Sequence, residues 1–396
     1  MRSLHPMPWV LALAIAACGG SDDAALLPTT ADSTSADATA AGDEGAAEDT
    51  PSPPIDTPAG PEDVTAAEDT PPVEDTAVEP DLPPPPDLPP PPEDTGSPAT
   101  VYGGHCDAPP PEVAKANWAN PLNAMVALGA PNHRMRDLIL APGEASQLRG
   151  HFTYSQLDTN LAGEDVELFV QTCPGWESFG LLQTGLDGIV WFDIPGDLSP
   201  GDYRARMVVH GDLTTADGVI AVWPKGMQVV VTDVDGTLTT SDWELFADVI
   251  FGQGAQMYEG ASDVITTWAD KGYRIVYLTG RPQLVNRYSR GWLAEHGFPL
   301  GPLHLTEDVT QTLPTDTGVG TFKKDFLSGL VKTPGVQIVA AYGNATTDIF
   351  GYAGAGIAKA VTFIIGPNAG ADGTQAIADY PSHLPWAQAQ PAATQP

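Results

Sequence analysis

The stretch that most constrains this chain is Val229–Thr240, V-V-V-T-D-V-D-G-T-L-T-T. Four consecutive apolar or β-branched residues, Val229 to Thr232, predict a strand buried on both faces, as in a parallel sheet. Such a strand delivers Asp233 and Asp235 to its carboxyl end, where open α/β sheets keep their ligand crevices. Val234 points the other way, so the two carboxylates share one side. Gly236 permits a sharp turn that brings backbone N–H groups up to an anion, and Thr237 adds a hydroxyl beside them. Two carboxylates so placed can divide the labour of phosphoryl transfer, one attacking phosphorus and the other moving a proton. A strand followed by an ordinary acidic turn is the plain alternative, but a D-x-D-G-T string on an apolar strand is more specific than that.

The surroundings of this strand have the period of βαβ units. Over residues 226–370 short apolar strands alternate with helical segments, which predicts an α/β domain with right-handed crossovers. Ala261–Lys271 reads as a helix with Val264, Ile265 and Trp268 on one face and Gly272 as its stop. Tyr273–Leu278 is a second strand, ending in Thr279-Gly280-Arg281. Pro282 is expected to open a helix whose apolar face is Leu284, Val285, Tyr288 and Trp292, closed by Gly297. Phe322–Val331 reads as a helix, and Val336–Tyr342 and Val361–Ile365 as strands. The stretch Thr239–Glu259 is brief, so any lid over the strand ends must be small. Residues 371–396 are expected as a C-terminal tail.

Upstream, composition changes twice. Residues 21–100 hold twenty of the 51 acidic side chains, no Lys or Arg, and dense proline, with E-D-T recurring at Glu48, Glu68, Glu74 and Glu93. So little apolar surface cannot offset the entropy of ordering, so residues 19–100 are expected to be a disordered, extended spacer. The remaining chain keeps 31 acidic side chains (51 less 20) and 16 basic ones (17 less Arg2), about −15 formally. That balance speaks against nucleic acid as a partner. Residues 101–225 show short alternating runs, such as Val166, Leu168 and Val170 between Glu167, Phe169 and Gln171. Tyr203, Ala205 and Met207 alternate likewise, and Gly188–Ile194 and Val219–Trp223 are further candidate strands. Turn signals at Asp187-Gly188, Pro195-Gly196 and Pro200-Gly201 give them the spacing of a β-sandwich, and Pro200-Gly201-Asp202-Tyr203 resembles the approach to a closing strand in immunoglobulin-like modules. No catalytic constellation is visible there. Trp176 and Trp191 either line a binding face or pack.

Residues 1–18 have the form of an export signal: Arg2, a short apolar run Val10–Ala17, and Ile15-Ala16-Ala17-Cys18, which resembles a bacterial lipobox. That resemblance implies a lipid-modified Cys18, and Gly19 after it implies outer-membrane rather than inner-membrane sorting. The run is too short to span a bilayer. Cys106 and Cys173 then remain as an even pair in an oxidising compartment, read as a disulfide, with two unpaired small hydrophobes as the alternative. No C-x-x-C or His cluster suggests zinc.

Four strand ends carry the motif order of the haloacid dehalogenase-like phosphotransferases, and the chain resembles that superfamily over about Gln228–Gly366. D-V-D-G-T is similar to motif I, the L-T-G at Thr279 to motif II, T-F-K-K-D-F-L at Lys323 to motif III, and A-A-Y-G-N-A-T-T-D to motif IV. D-V-D-G-T-L-T-T-S-D, G-P-L-H-L and A-Y-G-N-x-x-x-D resemble more narrowly the catalytic domain of lipin-type phosphatidate phosphatases. Y-L-T-G-R-P and W-L-A-E-H-G-F-P resemble the related domain of membrane-associated phosphatidylinositol transfer proteins, a phosphatidate-binding module rather than an enzyme. The resemblance implies a Rossmann-like haloacid dehalogenase fold with a minimal cap, preceded by the immunoglobulin-like β-sandwich. It also implies Asp233 as nucleophile, Asp235 as acid–base, Thr279 and Lys323 as their phosphoryl-holding and charge-neutralising partners, and Gly236, Thr237, Gly280 and Arg281 around the substrate phosphate. Mg²⁺ would be held by Asp233, the backbone C=O of Asp235 and Asn344, with Asp348 orienting water. Most relatives carry Asp where Asn344 stands, which leaves this site one charge lighter. The expected function is Mg²⁺-dependent hydrolysis of phosphatidate to diacylglycerol. The alternatives are a catalytically silent phosphatidate-binding module and a phosphatase for soluble phosphomonoesters. Arg287 and Arg290, three apart on a helix, either meet an anionic headgroup or form a solvated face.

Overall fold

The computed structural model describes residues 108–155, 157–172, 175–240, 255–307 and 310–396. Cys18, the Pro-rich spacer, both cysteines of the expected disulfide and most of the short stretch after the first α/β strand lie outside the described residues. Among the described residues no helix is long and apolar enough to cross a membrane.

The first part is a β-sandwich. A short helix α1 (Asn123–Val126) precedes β1 (Arg134–Met135), β2 (Leu138–Leu140), β3 (Ser146–His151), β4 (Thr153–Tyr154), β5 (Thr159–Asn160), β6 (Asp165–Thr172), β7 (Gly175–Gln183), β8 (Ile189–Ile194), β9 (Gly201–Val209) and β10 (Thr215–Val222). One sheet has the order β1-β3-β8 and the other β2-β10-β9-β6-β7. All pairings in the larger sheet are antiparallel except β2 with β10. Leu148 and Phe192 from the first sheet meet Val166, Leu168, Val170, Met207 and Ile220 from the second in one core. The alternation at Val166, Leu168 and Val170 thus faces inward as the sequence predicts. The long strand β7 was not anticipated: it is an edge strand, mostly exposed, and no side of it has the apolar period that marks a buried face. Trp191 stands half-exposed on the smaller sheet near Arg149, and Trp176 lies near Arg206, its ring 5.8 Å from the guanidinium carbon.

The second part is an α/β domain built on six parallel strands in the order β13-β12-β11-β14-β15-β16. These are β11 (Gln228–Thr232), β12 (Arg274–Pro282), β13 (Leu303–Thr306), β14 (Gln337–Gly343), β15 (Thr362–Ile365) and β16 (Gln375–Ile377). The first strand in sequence, β11, lies at the centre, as its continuous apolar run demands. Val230 faces a core shared with α2 (Ala261–Asp270) and α3 (Asn286–Glu295). Val229 and Val231 face the opposite core with α4 (Thr321–Lys332) and α5 (Thr346–Gly354). All three valines are fully buried, and each such side chain contributes roughly 1.5–3 kcal/mol of transfer free energy.

Two expectations are corrected here. Residues 371–396, expected as a tail, are part of the domain. They supply β16 and α6 (Tyr380–Ala389), and Tyr380, His383 and Ala387 are buried. Beyond α6, Ala393 N–H donates to Lys271 O (2.7 Å) and Thr394 N–H to Gln228 Oε1 (2.7 Å). Its Pro385 and weak amphipathic period hid this helix. The helix after Pro282 buries only half of its expected face: Val285 and Trp292 lie in the core, Leu284 and Tyr288 do not. It begins at Asn286 after a 3₁₀ turn, and it buries Asn286, Ser289, Trp292 and Leu293 while Leu284 and Tyr288 stay 40% and 44% exposed. Two polar side chains win the inward face because each has a buried hydrogen-bond partner: Asn286 Nδ2 donates to Met135 O and Ser289 Oγ accepts from Arg281.

Candidate active site

The carboxyl end of β11 bends at Gly236 (φ 68°), a conformation that glycine adopts without strain. Asp233 N–H still pairs with Tyr342 O on the neighbouring strand, so the Asp233 side chain leaves the sheet at a fixed point. It is buried, as is Val234 on the opposite side. Thr237 Oγ1 donates to Asp233 Oδ2 (2.9 Å) and also lies 3.3 Å from Asn344 Oδ1, which places a carboxylate and an amide oxygen around one hydroxyl. Gly236 N–H is directed at Thr239 Oγ1 (3.0 Å) rather than into the crevice.

Lys323, on the first turn of α4, reaches Asp233 Oδ1 and Asp348 Oδ1, both at 2.6 Å, and is almost fully buried. Its neighbour Lys324 points away, its stem beside Gly354 and its ammonium 3.3 Å from Asp325. Asp348 is the N3 residue of α5: Oδ2 accepts from Asn344 N–H and Ala345 N–H, both 3.0 Å. With Oδ1 taken by Lys323, Asp348 holds the β14–α5 turn and the lysine together, and Gly343 is required because a Cβ there would sit 2.6 Å from Asp348 Cβ.

Asp235 is gripped from the next strand. Arg281 Nε donates to Oδ1 and Oδ2 (2.9 and 3.0 Å), Nη2 to Oδ1 (2.7 Å), and Thr279 Oγ1 to Oδ2 (2.8 Å). The two β12 residues expected around a substrate phosphate thus both bond the second aspartate. Gly280 packs against Val319, and a Cβ there would lie 2.9 Å from that side chain.

Electrostatically the cluster contains three carboxylates, Asp233, Asp235 and Asp348, against two cations, Lys323 and Arg281. Burial pushes the Asp233 carboxyl up to about 7, with the carboxylates of Asp348 and Asp235 adding to burial and the Lys323 charge opposing it. Burial alone would lower the Lys323 ammonium, but Asp233 and Asp348 outweigh it and raise it. Counted with all three carboxylates ionised, the cluster carries one net negative charge, which a proton held on Asp233 relieves. Among the described residues no three His, Cys, Asp or Glu side chains converge as metal ligands, so a cation here would draw on the Asn344 amide and backbone oxygen as well as Asp233.

Three supporting residues had no signal in the sequence. Tyr380 Oη donates to Thr237 O (3.0 Å), so α6 fixes the D-x-D-G-T turn. Asn368 Nδ2 donates to Asn344 O (2.8 Å). Ser289 Oγ receives Arg281 Nη1 (3.0 Å). Each is a common polar residue that acts only through distant partners. Of the two cations three apart on α3, Arg290 pairs with Asp137 of the sandwich (2.8 and 2.9 Å) and Arg287 donates to Pro131 O (2.6 Å).

Comparison with known proteins matches both folded parts. Residues 230–366 match the model described as PITM 1-3, LNS2 domain, and residues 131–222 the model described as PITM 1-3, beta-sandwich domain. The rat membrane-associated phosphatidylinositol transfer protein 1 is 35% identical over 241 residues, 59% of this chain and 18% of that protein. The mouse protein 3 of the same name is 33% identical over 241 residues, 59% of this chain and 23% of that protein. Protein retinal degeneration B of Drosophila melanogaster is 33% identical over 243 residues, 60% of this chain and 18% of that protein. The chain spans about a fifth of the length of these relatives. One after the other, it carries a β-sandwich domain and an LNS2 domain similar to those of the membrane-associated phosphatidylinositol transfer proteins.

Proposed function

We propose that the α/β domain binds the phosphate of a phosphomonoester, phosphatidate before others, and hydrolyses it through a phosphoaspartate on Asp233. The observation that supports this is the convergence of Asp233, Lys323, Thr237 and Asn344, with Asp348 behind them, at the end of one central strand. An Asp233 oxygen attacks phosphorus and the bond from phosphorus to the alcohol oxygen breaks. Asp235 supplies the proton that the leaving alcohol needs, then takes a proton from the water that cleaves the Asp233–phosphorus bond. Lys323 holds the charge that accumulates on the nucleophile and the phosphoryl group. The residues also fit Mg²⁺: the oxygen donors are hard, Asp233 and Asn344 oxygens surround one hydroxyl, and the cluster is one positive charge short. Asp233, the Asp235 carbonyl and Asn344 would hold it, and the ion would neutralise phosphoryl oxygens when bound.

The lipid part of the proposal leans on similarity to proteins named for membrane association and phosphatidylinositol transfer. A lipid-modified Cys18 at the end of an acidic spacer would bring the domain to a membrane in an exported bacterial lipoprotein, sorted to the outer membrane.

A second function, phosphatidate binding without turnover, is favoured by one observation: both oxygens of Asp235 are engaged by Arg281 and Thr279. The deciding experiment measures phosphate release from phosphatidate micelles and from soluble phosphomonoesters, with and without Mg²⁺, beside binding to phosphatidate liposomes. Mg²⁺-dependent release from phosphatidate, lowered by orders of magnitude in Asp233→Asn and Asp235→Asn, supports the enzyme. Liposome binding with no release from any ester gives the binding module. Release from soluble esters alone removes the lipid assignment.

A further inference from the structure

On the phosphatase reading above, we propose that Arg281 is the positioning residue for Asp235, and that the β-sandwich domain holds Arg281 in place through one turn of α3. Arg281 is a long cation with 1% of its surface exposed. Its Nε and Nη2 close on Asp235 while Nη1 donates to Ser289 Oγ. A guanidinium is planar and its five donors are fixed in one fork, so anchoring Nη1 sets the plane in which Nε and Nη2 meet the carboxylate.

Ser289 lies on α3, and that helix and the turn before it are fastened to the sandwich at four points. Asn132 Nδ2 donates to Leu284 O (3.2 Å) and Asn286 Nδ2 to Met135 O (3.2 Å). Arg287 Nη1 donates to Pro131 O (2.6 Å), and Arg290 Nη2 to both oxygens of Asp137 (2.9 and 2.8 Å). Asp137, itself buried, also accepts from Val219 N–H (2.9 Å) in β10 and Leu303 N–H (2.7 Å) in β13. One carboxylate therefore joins the larger sandwich sheet, α3 and the edge of the catalytic sheet.

The polar inner face of α3 gains a reason from this. Val285, Trp292 and Leu293 pack inward, yet the places beside them go to Asn286 and Ser289 while Leu284 and Tyr288 stay half-exposed, one polar side chain bonded to the sandwich and the other to Arg281. A residue that must give a proton to one oxygen and take one from another has to be aimed within a fraction of an ångström. Ser289 takes the Nη1 arm of Arg281, which Asp235 does not use, and Asn286 and Asp137 fasten the helix that carries Ser289, so their effect on turnover passes through the guanidinium.

The test uses the full chain with [¹⁵N]arginine labelling and phosphatidate in mixed micelles with Mg²⁺. Arg281→Lys, which keeps the charge but loses the fork, is expected to lower kcat about 100-fold, and Ser289→Ala about 5–10-fold, each with KM within about twofold. Asn286→Ala and Asp137→Asn should lower kcat as Ser289→Ala does. In the NMR arm, the Arg281 Nε–H should exchange slowly in the wild type and rapidly in Asp235→Asn, Ser289→Ala, Asn286→Ala and Asp137→Asn. That arm requires no turnover, so it holds even if the wild type proves to be a binder. Unchanged kcat in Arg281→Lys and Ser289→Ala overturns the positioning role. Equal Nε–H exchange in the wild type, Asn286→Ala and Asp137→Asn overturns the part given to the sandwich. A fall in kcat matched by an equal fall in folded fraction assigns these residues to stability alone and overturns both.

Discussion

Replacing Lys323 by methionine probes the charge balance of the site. The ammonium lies 2.6 Å from both Asp233 and Asp348, and the variant leaves three carboxylates against one cation. Removing one partner of a buried pair costs about 3–5 kcal/mol, because the other charge stays buried without compensation. Against a total stability of roughly 5–15 kcal/mol the variant should fold, but marginally. The deficit must also depend on pH. Asp233 is held at about 7 against its usual 3.8, chiefly by burial. A carboxyl raised in this way keeps a proton that the unfolded chain has released. It therefore costs stability as pH climbs from about 4 to about 7. The Lys323 charge opposes that rise, so without it the folded value moves higher and the loss continues above pH 7. In urea unfolding with a chelator present, Lys323→Met is expected to lose about 3–5 kcal/mol at pH 8 and at least about 1 kcal/mol less at pH 5.5, where Asp233 is protonated in both proteins. Adding Asp233→Asn should return part of the loss at pH 8. A deficit below about 1 kcal/mol at pH 8, or one equal at both pH values, refutes the charge assignment.

Lys324→Ala is the control for that experiment: on the exposed side of α4 it should shift stability by no more than about 0.5 kcal/mol and turnover by less than twofold. His133 is buried in the sandwich, and burial lowers its imidazole to about 3, so its contribution is complete above pH 6.5 and is lost as pH falls towards 3. His133→Gln should accordingly remove about 1 kcal/mol of the stability difference between pH 6.5 and pH 5.5, and a variant whose pH dependence matches the wild type counts against this. Cys18→Ser should move the chain out of the membrane fraction, since acyl chains supply the affinity and the acidic spacer supplies none; unchanged fractionation removes the lipoprotein assignment.

What could be foreseen follows from how far each signal reaches along the chain. Val229–Thr232 announces a central strand because a run buried on both faces has no polar residue to spare, and all four are buried. The α2 face of Val264, Ile265 and Trp268 is equally local and appears as predicted. The strand β13 starts within G-P-L-H-L and runs to Thr306, and its four residues carry too little period to announce a strand. The C-terminal α6 was hidden by its internal proline, and its Tyr380 bonds Thr237, 143 residues earlier. No window on the sequence contains both ends of such a bond.

The α3 helix shows why a correct element can still bury only half of its predicted face, Val285 and Trp292 but not Leu284 and Tyr288. Leu284, Val285, Tyr288 and Trp292 form a reasonable apolar stripe, and in an isolated helix packed on a plain hydrophobic sheet that stripe would face inward. Here the neighbouring surface is not plain: it offers the Met135 carbonyl and the Arg281 guanidinium, both buried. Leaving a buried carbonyl or a guanidinium arm without its partner costs about 1–3 kcal/mol, more for the charged group, which rivals the burial of a leucine or tyrosine that can instead stay half in water. The rotation of α3 is therefore decided by Arg281, and Arg281 is buried because Asp235 needs a counter-charge. The D-x-D-G-T turn thus dictates the orientation of a helix some fifty residues further on, and with it the surface that meets the sandwich.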